Sequence, residues 1–106
     1  MLKSEEREML KRFKKEVGKV LGDRLDRVVL FGSRSRGDAA PDSDFDLLVT
    51  VQNLQETDRE RVFEIAADLS LDYNTILAVL VVPANDFTED RYFYLYENIQ
   101  KEGQVV

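Results

Sequence analysis

Residues 27–51 constrain this chain more than any other stretch. Arg27-Val28-Val29-Leu30-Phe31 reads as a short buried strand that runs straight into Gly32-Ser33. A segment rich in Gly, Ser, Arg, Pro and Asp follows over residues 34–43, as a loop or a short helical turn. Asp44-Phe45-Asp46 then opens a second apolar strand over residues 45–51. Alternate residues of a strand share a face, so Asp44 and Asp46 are expected side by side with Phe45 pointing into the core. The chain thus leaves one buried strand on a glycine and enters the next on a pair of carboxylates.

The flanking sequence supplies what such strands need for cover. Met9, Leu10, Phe13, Val17, Val20 and Leu21 recur at helical spacing behind Ser4, a plausible N-cap, and Gly22 is a natural stop. Thr57 and Glu60 fit a capping box, and Val62, Ile65, Ala66 and Leu69 form the apolar stripe of the helix behind them. Residues 75–82 form a continuous apolar run closed by Pro83, and this predicts a third, fully buried strand. Asn85 or Asp86 is expected to cap a last helix carrying Phe93, Leu95, Tyr96 and Ile99. Gly103 ends that helix and residues 104–106 form a tail. The order α, β, loop, β, α, β, α predicts one α/β (α+β) domain over residues 1–106. Its small three-stranded sheet, with a mixed sheet among the open arrangements, is flanked by helices.

The composition narrows the chemistry. The 106 residues include no cysteine and no histidine, which excludes disulfides, thiolate metal sites and any Ser-His-Asp triad. Catalysis must rest on carboxylates, hydroxyls, backbone amides and Lys or Arg. The net charge of −6 is split between +3 over residues 1–27 and −9 over residues 28–106. An acidic body repels phosphates, so nucleic-acid binding is not expected and a triphosphate would need a divalent cation. No apolar run approaches the roughly 20 residues that span a membrane, and the charged N-terminus lacks a signal-peptide core, so a cytoplasmic location is expected. A domain this small has little stability to spare, which makes a stable partner or a homo-oligomer unsurprising.

The polar segment can then be read residue by residue. Gly32 permits a sharp turn and close approach to a ligand. Ser33 offers a hydroxyl and an amide to a phosphate oxygen, and Arg34 and Arg36 can neutralise phosphate charge or face solvent. Asp44 and Asp46 repel one another unless a cation lies between them, and hard, oxygen-preferring Mg2+ suits that pair. Taken singly, each part also fits an ordinary turn, strand end or solvated surface. Their combination and spacing are far more specific.

The strings Phe31-Gly32-Ser33-Arg34-Ser35-Arg36-Gly37-Asp38 and Asp42-Ser43-Asp44-Phe45-Asp46-Leu47-Leu48-Val49 closely resemble the minimal nucleotidyltransferases of the DNA polymerase beta superfamily. The element order resembles that family over nearly the whole chain, although the specific residues lie within 31–49. The resemblance implies a polymerase-beta-type nucleotidyltransferase fold, Mg2+, ATP as substrate and transfer of AMP to a protein or small-molecule hydroxyl. It makes Gly32 and Ser33 phosphate binders, with Arg34 and Arg36 beside them, and makes Asp44 and Asp46 the metal ligands and catalytic carboxylates.

The chain departs from that family on the next strand. Active members usually carry a third carboxylate there, whereas the apolar run over residues 75–82 holds none and places Ala78 at that position. Asp68, Asp72, Asp86 and Glu89 lie nearby in sequence, and helix ends or solvated faces account for them better than a substitute role. Two readings follow. One is an enzyme that works with two acidic ligands, or with a third group from its partner. The other is a catalytically weak or inactive module similar to antitoxins that bind and neutralise helical HEPN-type toxins. Tyr92, Phe93, Tyr94 and Tyr96 exceed what one core-facing stripe needs, which suits an interface or ordinary packing equally.

Overall fold

The structure, a computed structural model, describes residues 2–37, 40 and 43–106. Asp38 and Asp42 of the motif lie outside the described residues. Helix α1 (Ser4–Leu21) leads through a 3-10 turn to strand β1 (Leu25–Phe31), and the short helix α2 (Ser33–Arg36) starts one residue after it. Strand β2 (Phe45–Val51), helix α3 (Asp58–Asp72) and strand β3 (Leu77–Pro83) form a β-α-β unit. Helix α4 (Phe93–Glu102) and strand β4 (Gln104–Val105) complete the chain.

The strands lie in the order β3-β2-β1-β4. The sheet is mixed: β1 runs antiparallel to both β2 and β4, and β2 runs parallel to β3. Strand alternation separates the core into two clusters. On one face Val28, Leu30, Phe45, Leu47, Val49, Leu77 and Val81 meet the apolar stripes of α1 and α3, including Phe13, Val17, Val62 and Leu69. On the other face Val29, Leu48 and Val82 pack against Phe87 and Ile99, with Tyr92, Leu95 and Tyr96 around them. The sheet therefore has helices on both sides, and its central strands β1 and β2 are the most deeply covered.

Several local expectations need correction. Among the described residues the sheet has four strands rather than three, because the C-terminal residues do not trail free: Val29 pairs with Val105 and Leu30 with Gln104. The amide of Val106 also donates to the carbonyl of Val28 at 2.9 Å, and Lys14 Nζ to the carbonyl of Val106 at 2.6 Å. The third strand lies at the sheet edge and is not fully buried, so Leu80 stays 40% exposed. Pro83 is its last residue, where a missing N–H does no harm to an edge strand. Residues Ala84–Asp86 form a 3-10 turn rather than a cap, and α4 begins at Phe93. Ser4 is the first helical residue of α1, with Lys3 as its N-cap. Thr57 makes no capping hydrogen bond. Its neighbour Asp58 instead ties the preceding loop, accepting the Gln55 amide at 2.7 Å and a two-pronged hydrogen bond from Arg24, whose Nη2 reaches it at 3.0 Å.

Candidate active site

The candidate site forms where β1 ends and β2 begins, because antiparallel pairing brings Phe31 opposite Asp46. Gly32 follows directly, with φ 76° and ψ −159°, a backbone conformation that side-chain-bearing residues rarely adopt. A Cβ placed on Gly32 would lie 2.4 Å from Asp46 Oδ2. The glycine is therefore required twice, once by its backbone angle and once by the carboxylate that occupies its side-chain space.

Helix α2 starts at Ser33 and closes with Gly37 in the left-handed region. The amides of Ser35 and Arg36 both donate to the Gly32 carbonyl at 3.1 Å. Ser33, as the first helical residue, has no preceding helical turn to accept its amide. This short helix is held from the far side of the sequence. Ser35 Oγ donates to the Glu102 carbonyl, Gln104 Nε2 donates to the Ser35 carbonyl at 2.7 Å, and Arg36 pairs with Glu102 at 3.1 Å.

Phe45 is buried, whereas Asp44 is exposed and Asp46 half-buried. Leu48, two residues beyond Asp46, belongs to the cluster under α4. Asp46 therefore lies on the α4 side of the sheet, at its open end. Burial raises the Asp46 pKa above the ordinary carboxylate value, and the charge of Asp44 raises it further, while Arg36 acts in the opposite sense. Asp46 thus feels the charges of both Asp44 and Arg36. Arg34 faces elsewhere: its guanidinium stacks 4.2 Å from the centre of the Phe45 ring and hydrogen-bonds the Ser43 carbonyl and Glu6.

The next strand brings Ala78 into register with Asp46 in the parallel ladder, so their side chains share a face. No acidic side chain occupies that position. Among the described residues, no group of three or more His, Cys, Asp or Glu side chains is arranged to hold a metal ion. The donor set is thus two carboxylates on alternate residues, one raised in pKa by burial first and by its neighbour second. This suits a hard cation that takes its remaining ligands from phosphate and water, as Mg2+ commonly does.

Asp68 and Asp72 lie on α3, and Asp72 pairs with Arg12 of α1 at 3.7 Å, so the structure leaves it in a helix-helix contact. The aromatic residues of the C-terminal region divide: Tyr92 and Tyr96 stack on Phe87, while Phe93 and Tyr94 stay exposed. Sequence reading missed the contacts of Glu6, Glu102 and Gln104, which reach this region from distant segments, and that of the Ser43 carbonyl, which depends on them. No helix among the described residues is long and apolar enough to cross a membrane.

Comparison with known proteins gives a concordant result. A family model described as a nucleotidyltransferase domain matches residues 7–106. A protein of Methanocaldococcus jannaschii, provisionally named a protein adenylyltransferase, is 37% identical over 75 residues, which is 70% of this chain and 76% of that protein. Among solved structures, a provisionally named nucleotidyltransferase from Sulfolobus solfataricus superposes with a TM-score of 0.59 at 21% identity, covering 92% of this chain and 76% of the other. A toxin-antitoxin with AMP-PNP gives 0.58 at 21% identity, covering 90% and 70%. The complex of a tri-AMPylated HEPN toxin of Shewanella oneidensis with an MNT antitoxin gives 0.51 at 19% identity, covering 92% and 70%. At these identities the structural matches speak to the fold.

Proposed function

The chain belongs to the nucleotidyltransferase domain family, and from that premise we propose that it binds Mg-ATP between Ser33 and the Asp44/Asp46 pair and transfers AMP to a hydroxyl of a protein partner. The single observation that carries this reading is the packing of Asp46 Oδ2 into the space left by Gly32. It supports a shared site in which the turn after β1 and the carboxylates of β2 face one ligand. The Ser33 amide and hydroxyl are suited to phosphate oxygens, and Arg36 lies within electrostatic reach of Asp46. Mg2+ held by Asp44 and Asp46 would neutralise triphosphate charge and fix the geometry of the α-phosphorus.

In this reading the acceptor oxygen attacks the α-phosphorus, a new P–O bond forms, and the bond to pyrophosphate breaks. The acceptor proton is released to water at the same stage. The chain's own contribution is positioning and charge neutralisation, since β3 offers no carboxylate beside Asp46 to take that proton. A partner protein as acceptor is supported by the relative provisionally named a protein adenylyltransferase, and a HEPN-type helical partner by the AMPylated toxin complex among the fold neighbours.

The Asp46–Ala78 pairing also favours a second reading, in which turnover is weak and the domain neutralises such a partner by binding. Incubation with ATP, Mg2+ and the co-purifying partner, followed by intact-mass measurement of the partner, separates the two. An added AMP that is lost in Asp44→Asn or Asp46→Asn supports transfer. Tight complex formation with unchanged partner mass supports the binding module and rejects the transfer reading.

A further inference from the structure

Arg34 sits inside the motif, yet its contacts point away from a phosphate-binding role. Nε and Nη2 donate to the Ser43 carbonyl at 3.0 and 2.8 Å, and Nη1 donates to Glu6 Oε2 at 3.1 Å. The guanidinium plane lies over the Phe45 ring at 4.2 Å. Phe45 faces the cluster under α1 and α3, so this stack is on the opposite side of β2 from Asp46. The ion pair is well covered, with side-chain exposures of 11% for Arg34 and 18% for Glu6. Glu6 is itself fixed, because its Oε1 accepts the Lys3 amide at 2.8 Å in the first turn of α1.

We propose that Arg34 is a positioning residue: its fork on the Ser43 carbonyl and its stack on Phe45, braced by Glu6, set the entry into β2 and hence the spacing of Asp44 and Asp46. The residues that Arg34 grips, Ser43 and Phe45, flank Asp44 directly. A guanidinium suits this task because its planar fork can hold a carbonyl and a carboxylate while its face covers a ring. An ammonium keeps the charge but cannot do all three. The inference rests on the proposed metal site, and it assigns Arg34 to the carboxylates rather than to the phosphates.

The test uses Mn2+ alone, read by EPR, together with amide hydrogen exchange at residues 43–46, in the wild type and in Arg34→Met. Coulomb's law makes the two roles differ in sign. Removal of a cation near a cation site tightens Mn2+ binding unless that cation also organises the ligands. A positioning role predicts Mn2+ binding weaker by about tenfold, in the range seen when groups that orient metal ligands are lost. It also predicts faster exchange at Asp44 and Phe45. Arg34→Lys should lose part of the affinity, and Glu6→Gln should quicken exchange at the same amides, which keeps the test open if Arg34→Met fails to fold. Unchanged or tighter Mn2+ binding in Arg34→Met, full affinity in Arg34→Lys, or wild-type exchange in these variants would overturn the proposal. If the wild type binds no Mn2+, the metal-site reading falls by itself. The exchange measurement then still decides whether Arg34 holds the entry to β2.

Discussion

Asp46 and Ala78 stand in register across the parallel β2–β3 ladder, with their side chains on one face. Neighbouring strands lie about 4.8 Å apart, so a carboxylate at residue 78 would adjoin the Asp44/Asp46 pair. Ala78→Asp is therefore expected to raise AMP transfer to a hydroxyl acceptor at least tenfold, the low side of what a positioned base contributes. Without a divalent cation the same change should lower Tm, because a third negative charge joins two that already oppose each other. Turnover measured with and without Mg2+, beside a melting curve in EDTA, checks both effects.

Gly32→Ala should remove nucleotide binding while leaving the fold marginally intact. The added Cβ meets Asp46 Oδ2 at 2.4 Å and forces an alanine to a φ of 76°. Backbone strain of this kind costs about 1–3 kcal/mol. Gly18→Ala in α1 is the matched control: a Cβ there meets nothing within 4 Å. That exchange should stabilise the helix by about 0.5–1 kcal/mol. Urea melts of the two variants should move in opposite directions.

Asp58 links the strand-1 entry to α3. It is buried, accepts from Arg24 and the Gln55 amide, and has a pKa held below the ordinary carboxylate value, first by the Arg24 hydrogen bond and against the effect of its burial. A carboxylate with a depressed folded pKa stabilises the protein fully above its unfolded pKa, about 3.9, and loses that contribution as pH falls through the folded value. Asp58→Asn should cost about 1–3 kcal/mol at pH 7, the usual penalty for breaking a buried hydrogen-bonded group. The gap between variant and wild type should narrow as pH drops below about 4. Denaturant titrations at pH 7 and pH 3 measure the difference directly.

Removal of residues 104–106 should loosen the site from a distance. The truncation strips β4 from β1 and deletes the Gln104 hydrogen bond to Ser35. Faster amide exchange is expected in β1 and α2, with weaker nucleotide binding, while the β2–β3 ladder stays protected. Exchange confined to the new C-terminus would contradict that linkage.

Much of the fold was legible where periodicity and burial agree. The stripe from Met9 to Leu21 and the stop at Gly22 mark α1, and the paired apolar runs around Gly32-Ser33 and Asp44-Phe45-Asp46 mark β1 and β2. The short β4 was not legible, because Gln104-Val105 becomes a strand only through the edge of β1. The run over residues 75–82 looked fully buried because nothing local distinguishes an edge strand with one open stretch from a central one. Thr57 makes no capping hydrogen bond, and the buried carboxylate beside it, Asp58, is claimed by Arg24 from far along the chain. The same limit applies at the candidate site. Asp44 and Asp46 could be read from their spacing and Ala78 from the family resemblance, whereas the grip of Arg34 on Ser43 and Glu6 depends on where α1 docks.

Calorimetry with ATP measures the proposed nucleotide site shared by Ser33 and the Asp44/Asp46 pair. With Mg2+ present the account predicts a saturable one-site isotherm that weakens sharply in EDTA and in Asp46→Asn. Absence of ATP binding both with and without Mg2+, in a protein that melts cooperatively, would contradict it.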